Sequence, residues 1–183
     1  MREGSWLNYN LFMLVRPAAP QDLPSIQSIY AHHVKHGLAS FEEIAPPLEE
    51  IKRRYEDIIR QGFPYLVAED KGEILGYGYC SLYRTRSAYR HTLEDSIYVK
   101  QGQQAKGVGK AVLSELIVLC TALNYRQIIA VIGDSANAGS IKLHASLGFV
   151  RAGLLRSTGY KFGRWVDSVY MQLPLGAGDS TKP

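Results

Sequence analysis

Ser96-Ile97-Tyr98-Val99 runs through Lys100-Gln101-Gly102-Gln103 into Gln104-Ala105-Lys106-Gly107-Val108-Gly109-Lys110, and Ala111-Val112-Leu113 then opens an apolar stretch. A strand with β-branched residues thus feeds a basic loop punctuated by glycine, and that loop opens a helix. Such a turn converges backbone N–H groups at the positive end of a helix, where a pyrophosphate binds. Two common phosphate loops do not match. A P-loop requires Lys directly after its second glycine, and Gly107 is followed by Val108. A dinucleotide fingerprint requires a third small residue where Val112 stands, and no ribose-binding carboxylate appears in Gln127-Ile128-Ile129-Ala130.

The remaining sequence bounds the class. The 183 residues suit one domain with a full core, expected over residues 11–175, with residues 1–10 and 176–183 as loose tails. Apolar content of 46% and charged content of 21% are those of a globular protein, and a net charge of +4 is too thin for a nucleic-acid stripe. Cys80 and Cys120 make no disulfide framework, so a reducing cytoplasm is expected. Polar Asn8, Tyr9 and Asn10 interrupt any signal-peptide core, and no apolar run is long enough to span a membrane.

Periodicity gives the element order. A strand is expected over Leu11 to Arg16, then a helix capped by Asp22 and a second helix after Pro46-Pro47. Tyr65 to Ala68 and Ile74 to Leu82 form a hairpin, and Thr92 to Val99 is the next strand. A helix from Gly107 to Leu123, a strand from Gln127 to Ile132 and a short helix from Ala138 to Leu147 follow. Val150 to Leu155 and Val166 to Leu173 are the last strands, turning near Phe162-Gly163. The order β-α-α-β-β-β-α-β-α-β-β predicts an α/β fold with a central mixed sheet flanked by helices.

The spacing Q-x-x-G-x-G at Gln104 to Gly109, after a Tyr-Val strand, resembles the acetyl-CoA loop of the GCN5-related N-acetyltransferases (GNAT). Further motifs occur in order: Arg86-Ser87-Ala88-Tyr89, Glu94-Asp95-Ser96, Asn137-Ala138-Gly139-Ser140, Leu147-Gly148-Phe149 and Gly159-Tyr160-Lys161-Phe162-Gly163-Arg164-Trp165. Together they resemble the phosphinothricin and methionine sulfoximine acetyltransferase branch from about Val15 to Leu175. The resemblance implies the GNAT acyl-CoA fold, acetyl-CoA as co-substrate, no metal, a small amine acceptor and a homodimer.

It also implies roles for particular residues. Backbone groups of Ala105, Lys106, Gly107, Val108, Gly109 and Lys110, with the Gln104 side chain, are expected to hold the pyrophosphate. Ile97, Tyr98 and Val99 are expected to pair with the pantetheine arm, and Asn137 and Ser140 to touch the cofactor. Glu94 is expected as the general base, since a buried carboxylate can take the proton of an ammonium. About 13 Å of strand separates it from Tyr98, so a bulge, a tilted pose or a water must close the gap. Free N–H groups at Tyr98 or Val99 would serve the oxyanion. His144 is expected either as the acid for the leaving thiolate or as a packed residue at a helix end.

Phe41, Arg84, Arg86, Ser87, Ala88 and Tyr89 are expected to line the acceptor pocket, guanidinium forks suiting a carboxylate or phosphinate. His32, His33 and His36 read as helix-surface residues without a completing ligand set. Two other readings stay open: a GNAT enzyme for a polyamine, an aminoglycoside or a protein N-terminus, and a non-catalytic acyl-CoA-binding module.

Overall fold

The computed structural model describes residues 13–183. The tail expected over residues 1–10, and the start of the strand expected from Leu11, lie outside the described residues. The elements are β1 (Leu14–Pro17), α1 (Leu23–His36), α2 (Leu48–Arg60), β2 (Tyr65–Asp70), β3 (Glu73–Leu82) and β4 (Thr92–Val99). They are followed by α3 (Val108–Ala122), β5 (Gln127–Gly133), α4 (Ala138–Ala145), β6 (Val150–Lys161) and β7 (Arg164–Pro174). The seven strands form one sheet in the order β1-β2-β3-β4-β5-β7-β6. Among the described residues only β4 and β5 run parallel, joined by α3 as a crossover.

Strand alternation sorts the helices onto two faces. On β3, Gly76 and Gly78 turn toward α3; an added Cβ at Gly78 would lie 2.8 Å from Val112 Cγ1 and 2.6 Å from Ile97 Cδ1. Only glycine lets α3 lie this close across the strand. Tyr77 and Tyr79 point to the other face, where Tyr77 stacks on Tyr98 and Tyr98 meets Tyr30 of α1 edge-on. Helix α1 presents Ile26, Ile29, Tyr30 and Val34 to that face, and α2 presents Ile51 and Ile58. The core is therefore two apolar layers on either side of β1–β4.

Two local expectations change. Asp22 does not cap α1 with its side chain. Its carboxylate accepts from the Ala19 N–H at 2.8 Å and pairs with Arg16 at 2.7 Å, because an arginine six residues back offers a charge-assisted fork. Strand β6 runs on to Lys161 rather than ending near Leu155. The polar run Arg156-Ser157-Thr158 is absorbed as a bulge between Leu155 and Gly159, with Ser157 at φ 54° and its N–H given to Asp167 Oδ1 at 2.9 Å. The β6–β7 turn places Phe162 and Gly163 at φ 53° and 74°, as a two-residue hairpin with right-handed strand twist requires. At the C-terminus, Leu175 is buried and Arg126 donates to Thr181 Oγ1 and Lys182 O at 3.0 Å.

Candidate active site

Strands β4 and β5 pair only from Thr92↔Gln127 to Asp95↔Ala130. Beyond Asp95 they diverge, β4 staying with β3 to Val99 and β5 with β7 to Gly133. The result is a wedge in the middle of the sheet. Which backbone groups face it follows from parity. Tyr83 N donates to Thr92 O at 3.1 Å and Lys100 N to Leu75 O at 2.8 Å, so even-numbered residues of β4 bond toward β3. Ile97 and Val99 therefore turn their N–H groups into the wedge, while the Tyr98 N–H is directed to β3. Of the two oxyanion donors expected from sequence, Val99 is available and Tyr98 is not; Ile97 joins it.

The register between β3 and β4 is unbroken from Leu82↔Leu93 to Gly76↔Val99, so no bulge shortens the distance from Glu94 to the wedge. Glu94 and Ile97 are about 10 Å apart along the strand.

At the end of β4 the loop enters α3. Gly102, Ala105 and Gly107 all have positive φ, at 80°, 60° and 87°. This makes a backbone nest, and among the described residues the amides of Gln104 to Lys110 donate to no protein group. The Gln104 carboxamide shapes the nest from inside, accepting the Gly102 N–H at 2.8 Å. Lys106 donates to Gln103 Oε1 at 3.1 Å, leaving its charge exposed at the rim. Val108 is buried, so it offers only its backbone.

A cleft of ≈ 220 Å³ passes through the wedge and joins the two faces of the sheet. On the α1/α2 face it is lined by Phe41, Glu94, Ser96, Tyr98 and Ser168, and on the α3/α4 face by Asp95, Asn137, Ser140 and His144. Glu94 and Asp95 thus look to opposite faces, as neighbours on a strand must. Burial raises Glu94 above the usual carboxylate range; the Arg84 cation pulls it back and the Asp95 charge adds to the rise. Asn137 caps α4, accepting the Ser140 N–H at 3.1 Å.

His144 is buried and both its ring nitrogens are engaged. Nδ1–H donates to Ser140 O at 2.8 Å and Nε2–H to Asp95 Oδ2 at 3.0 Å, with the Phe149 ring 5.0 Å away edge-on. Burial disfavours the imidazolium, but the hydrogen bond and charge of Asp95 outweigh it and raise the His144 pKa. Of the two roles expected from sequence, this engagement of both ring nitrogens favours the packed residue at a helix end over the acid. The pair ties α4 to the residue at which β4 and β5 separate.

The other expected residues scatter. Ser87–Tyr89 form a single 3₁₀ turn on the surface, and Arg86, Ser87, Ala88 and Tyr89 stay outside the cleft. The span from Arg84 to Arg90 is too exposed to be drawn inward, with Arg90 spending one N–H on Ser87 O at 3.1 Å. Arg84 lies 4.3 Å over the Tyr83 ring, beside a neighbouring groove lined by Ile129, Leu154 and Tyr170. His33 is not a surface residue: its Nε2–H donates to Val99 O at 2.8 Å. Sequence reasoning missed Ser96, Val131, Gly133 and Ser168; strand alternation marks their face but not the wedge that opens it. Both cysteines are buried, and hydrogen bonding with Cys120 together with burial pushes the Cys80 thiol up, so neither is an acyl-accepting nucleophile. Among the described residues no cluster of His, Cys, Asp or Glu could hold a metal, and no helix is long and apolar enough to cross a membrane.

Comparison with known proteins gives the family. The family model of an acetyltransferase (GNAT) domain matches residues 15–170. A phosphinothricin N-acetyltransferase of Alcaligenes faecalis is 53% identical over 169 residues, 92% of this chain and 86% of the relative. An L-methionine sulfoximine/L-methionine sulfone acetyltransferase of Pseudomonas aeruginosa is 40% identical over 88% of this chain and 94% of its own. A GNAT superfamily phosphinothricin acetyltransferase from Sinorhizobium meliloti, solved in complex with AcCoA, superposes with a TM-score of 0.91 at 48% identity, covering 94% of each chain.

Proposed function

Because the chain belongs to the GNAT acetyltransferase family and is an acetyl-CoA-dependent N-acetyltransferase, we propose that its acceptor is the α-amino group of a small amino-acid-like molecule. Phosphinothricin and methionine sulfoximine represent that class, as the names of the relatives suggest. One observation carries the reading: a single cleft through the wedge, lined by a raised carboxylate, Glu94, on one face and by Ile97, whose backbone N–H turns into the wedge. At ≈ 220 Å³ the cleft lies below the range of about 300–1,000 Å³ for drug-sized ligands, which favours a small acceptor over an aminoglycoside.

The division of labour follows from the two faces. The amides from Gln104 to Lys110 hold the pyrophosphate of acetyl-CoA, and Ile97 and Val99 pair with its arm as an extra strand would. Asn137 and Ser140 stand beside that arm. On the other face Phe41, Ser96, Tyr98 and Ser168 seat the acceptor. Glu94, through a water, takes the ammonium proton, and the freed amine attacks the thioester carbonyl. The N–H groups of Ile97 and Val99 receive the charge on the carbonyl oxygen. The C–S bond then breaks, the proton that the nitrogen must still lose passes through water to the departing sulfur, and CoA leaves as the thiol, beside the buried His144–Asp95 pair. No covalent acyl-enzyme is needed.

Arg84 is the guanidinium best placed to influence the acceptor end, through its effect on Glu94. The exposed aromatics Tyr160, Phe162 and Trp165 on the β6–β7 hairpin, beside the unpaired edge of β6, support a homodimer built through this region. Reduced, buried cysteines fit a cytoplasmic enzyme.

The test is acetyl-CoA consumption against phosphinothricin, methionine sulfoximine, ordinary amino acids, spermidine and an aminoglycoside. Turnover concentrated on the two glutamate analogues is the expected result. Turnover of the cationic amines alone would overturn the acceptor class. Acetyl-CoA binding without any turnover would favour a non-catalytic module.

A further inference from the structure

Lys161 sits at the end of β6, 2% exposed, and none of the roles above uses it. A buried ammonium must spend its donors. Lys161 Nζ donates to Gly37 O at 2.9 Å and to Ser40 O at 2.7 Å, across more than 120 residues of sequence, and lies 4.9 Å from the Phe162 ring centre. Its two acceptors bracket Leu38 and Ala39 in the loop after α1, and Phe41 follows directly. Ala39 and Phe41 are the residues of that loop that line the cleft.

The sheet has been cut to receive this loop. An added Cβ at Gly133 would lie 2.1 Å from Leu38 O, and one at Gly159 would lie 2.5 Å from Phe41 Cε2. Neither glycine has a positive φ, so space and not backbone freedom requires them. From the opposite side the Tyr30 hydroxyl meets Ser40 Oγ at 2.9 Å and donates to Glu42 Oε1 at 3.0 Å. Arg54 holds the same Glu42 at 2.6 Å. The loop is therefore gripped by Tyr30 of α1 and Arg54 of α2 on one side and by Lys161 of β6 on the other.

We propose that Lys161 is a positioning residue that clamps the loop from Gly37 to Phe41 onto β5 and β6, fixing the apolar wall of the acceptor end of the cleft. This rests on the assignment of that face to the acceptor. The clamp acts on the face where the loop packs against Gly133 and Gly159, whereas α3 packs against Gly76 and Gly78 on the other face. Its loss acts on acceptor binding and selectivity and spares the donor.

Two variants test it. Lys161→Met keeps the aliphatic stem and removes the donors, leaving the Gly37 and Ser40 carbonyls without a partner. Gly159→Ala leaves Lys161 intact and displaces the Phe41 ring. For whichever acceptor the parent enzyme turns over, both variants are expected to raise the acceptor KM about tenfold or more. The acetyl-CoA KM is expected to stay within about twofold. Cleavage by a glutamate-specific protease after Glu42 or Glu43 is expected to be about tenfold faster in Lys161→Met, as a released loop opens more often. Unchanged acceptor KM in both variants, or a parallel rise of both KM values, would overturn the clamp. If the parent enzyme acetylates none of the panel, the acceptor assignment fails; the protease rates then decide the clamp alone, unchanged rates overturning it.

Discussion

Glu94→Gln separates the proposed base from every other part of the site. The amide has the shape of the carboxylate but cannot take the ammonium proton. General-base catalysis contributes on the order of 10²–10⁴-fold, or about 2.7–5.4 kcal/mol of barrier. The expected loss in kcat/KM for phosphinothricin at neutral pH lies in that span, with the acetyl-CoA KM unchanged because Glu94 faces away from the donor side. The pH dependence sharpens the expectation. In the parent, kcat/KM falls on the acid side as Glu94 takes up its proton, at a pH above the usual carboxylate range because burial raises it. In the variant that limb is gone and the rate follows the fraction of neutral amine, rising tenfold per pH unit, so the two profiles converge at high pH. Stability moves the other way. The folded state raises the Glu94 pKa, so the ionised side chain penalises folding above that value and costs nothing well below the unfolded value. Glu94→Gln is expected to melt higher than the parent at neutral pH and equally at acid pH. The assay is steady-state acetylation by thiol release from about pH 5.5 to 9, with melting curves extended down to about pH 3. A variant within about threefold of the parent at pH 7 would refute the base. So would a variant profile that levels off at the same pH as the parent's instead of rising on with the neutral amine.

Arg84→Ala removes the cation that pulls the Glu94 pKa down, so the acid limb of kcat/KM is expected to shift to higher pH, whereas Arg86→Ala leaves it in place. A pH-rate series on the two variants checks this. His144→Gln breaks a buried ion pair and strands Asp95, whose Oδ1 already lacks a partner. Loss of one member of such a pair costs about 3–5 kcal/mol, a drop of roughly 6–20 °C in Tm for a chain of this size. Because the folded state raises the His144 pKa, the parent's advantage over the variant is full below the usual value of 6.5 and fades as pH climbs through the raised one. Melting curves from pH 6 to 9 read that trend.

Much of the fold was legible because its signals are local. β4 was bounded correctly at Thr92 and Val99 by residue type, and the glycine loop announced α3. The candidate site was legible where it is built of backbone: the nest at Gln104 to Lys110 needed only a turn of the right shape. It was illegible where position depends on partners distant in sequence. Whether Tyr98 or its neighbours offer a free N–H depends on which residues of β3 they pair with, and no pattern within β4 records that. The Asp95–His144 pair spans 49 residues and the Lys161 clamp 121. Nothing in Lys161-Phe162-Gly163 distinguishes a buried ammonium from an ordinary turn lysine. Arg86 to Tyr89 misled for a related reason, since proximity to Glu94 in sequence says nothing of which way a surface turn faces. Arg156-Ser157-Thr158 read as a break because a polar run ends most strands, and here Asp167 satisfies the bulge instead.

The most direct test of the account is a backbone-amide NMR titration, first with CoA and then with phosphinothricin added to the CoA-loaded protein. CoA is expected to shift the amides of Ile97, Val99 and Gln104 to Lys110, leaving the Tyr98 amide protected against exchange by β3. Phosphinothricin is then expected to shift Phe41, Ser96 and Ser168 on the opposite face. Shifts from the two ligands falling on the same face of the sheet, or a CoA response that bypasses Ile97 and Val99, would contradict a wedge in which donor and acceptor meet from opposite sides.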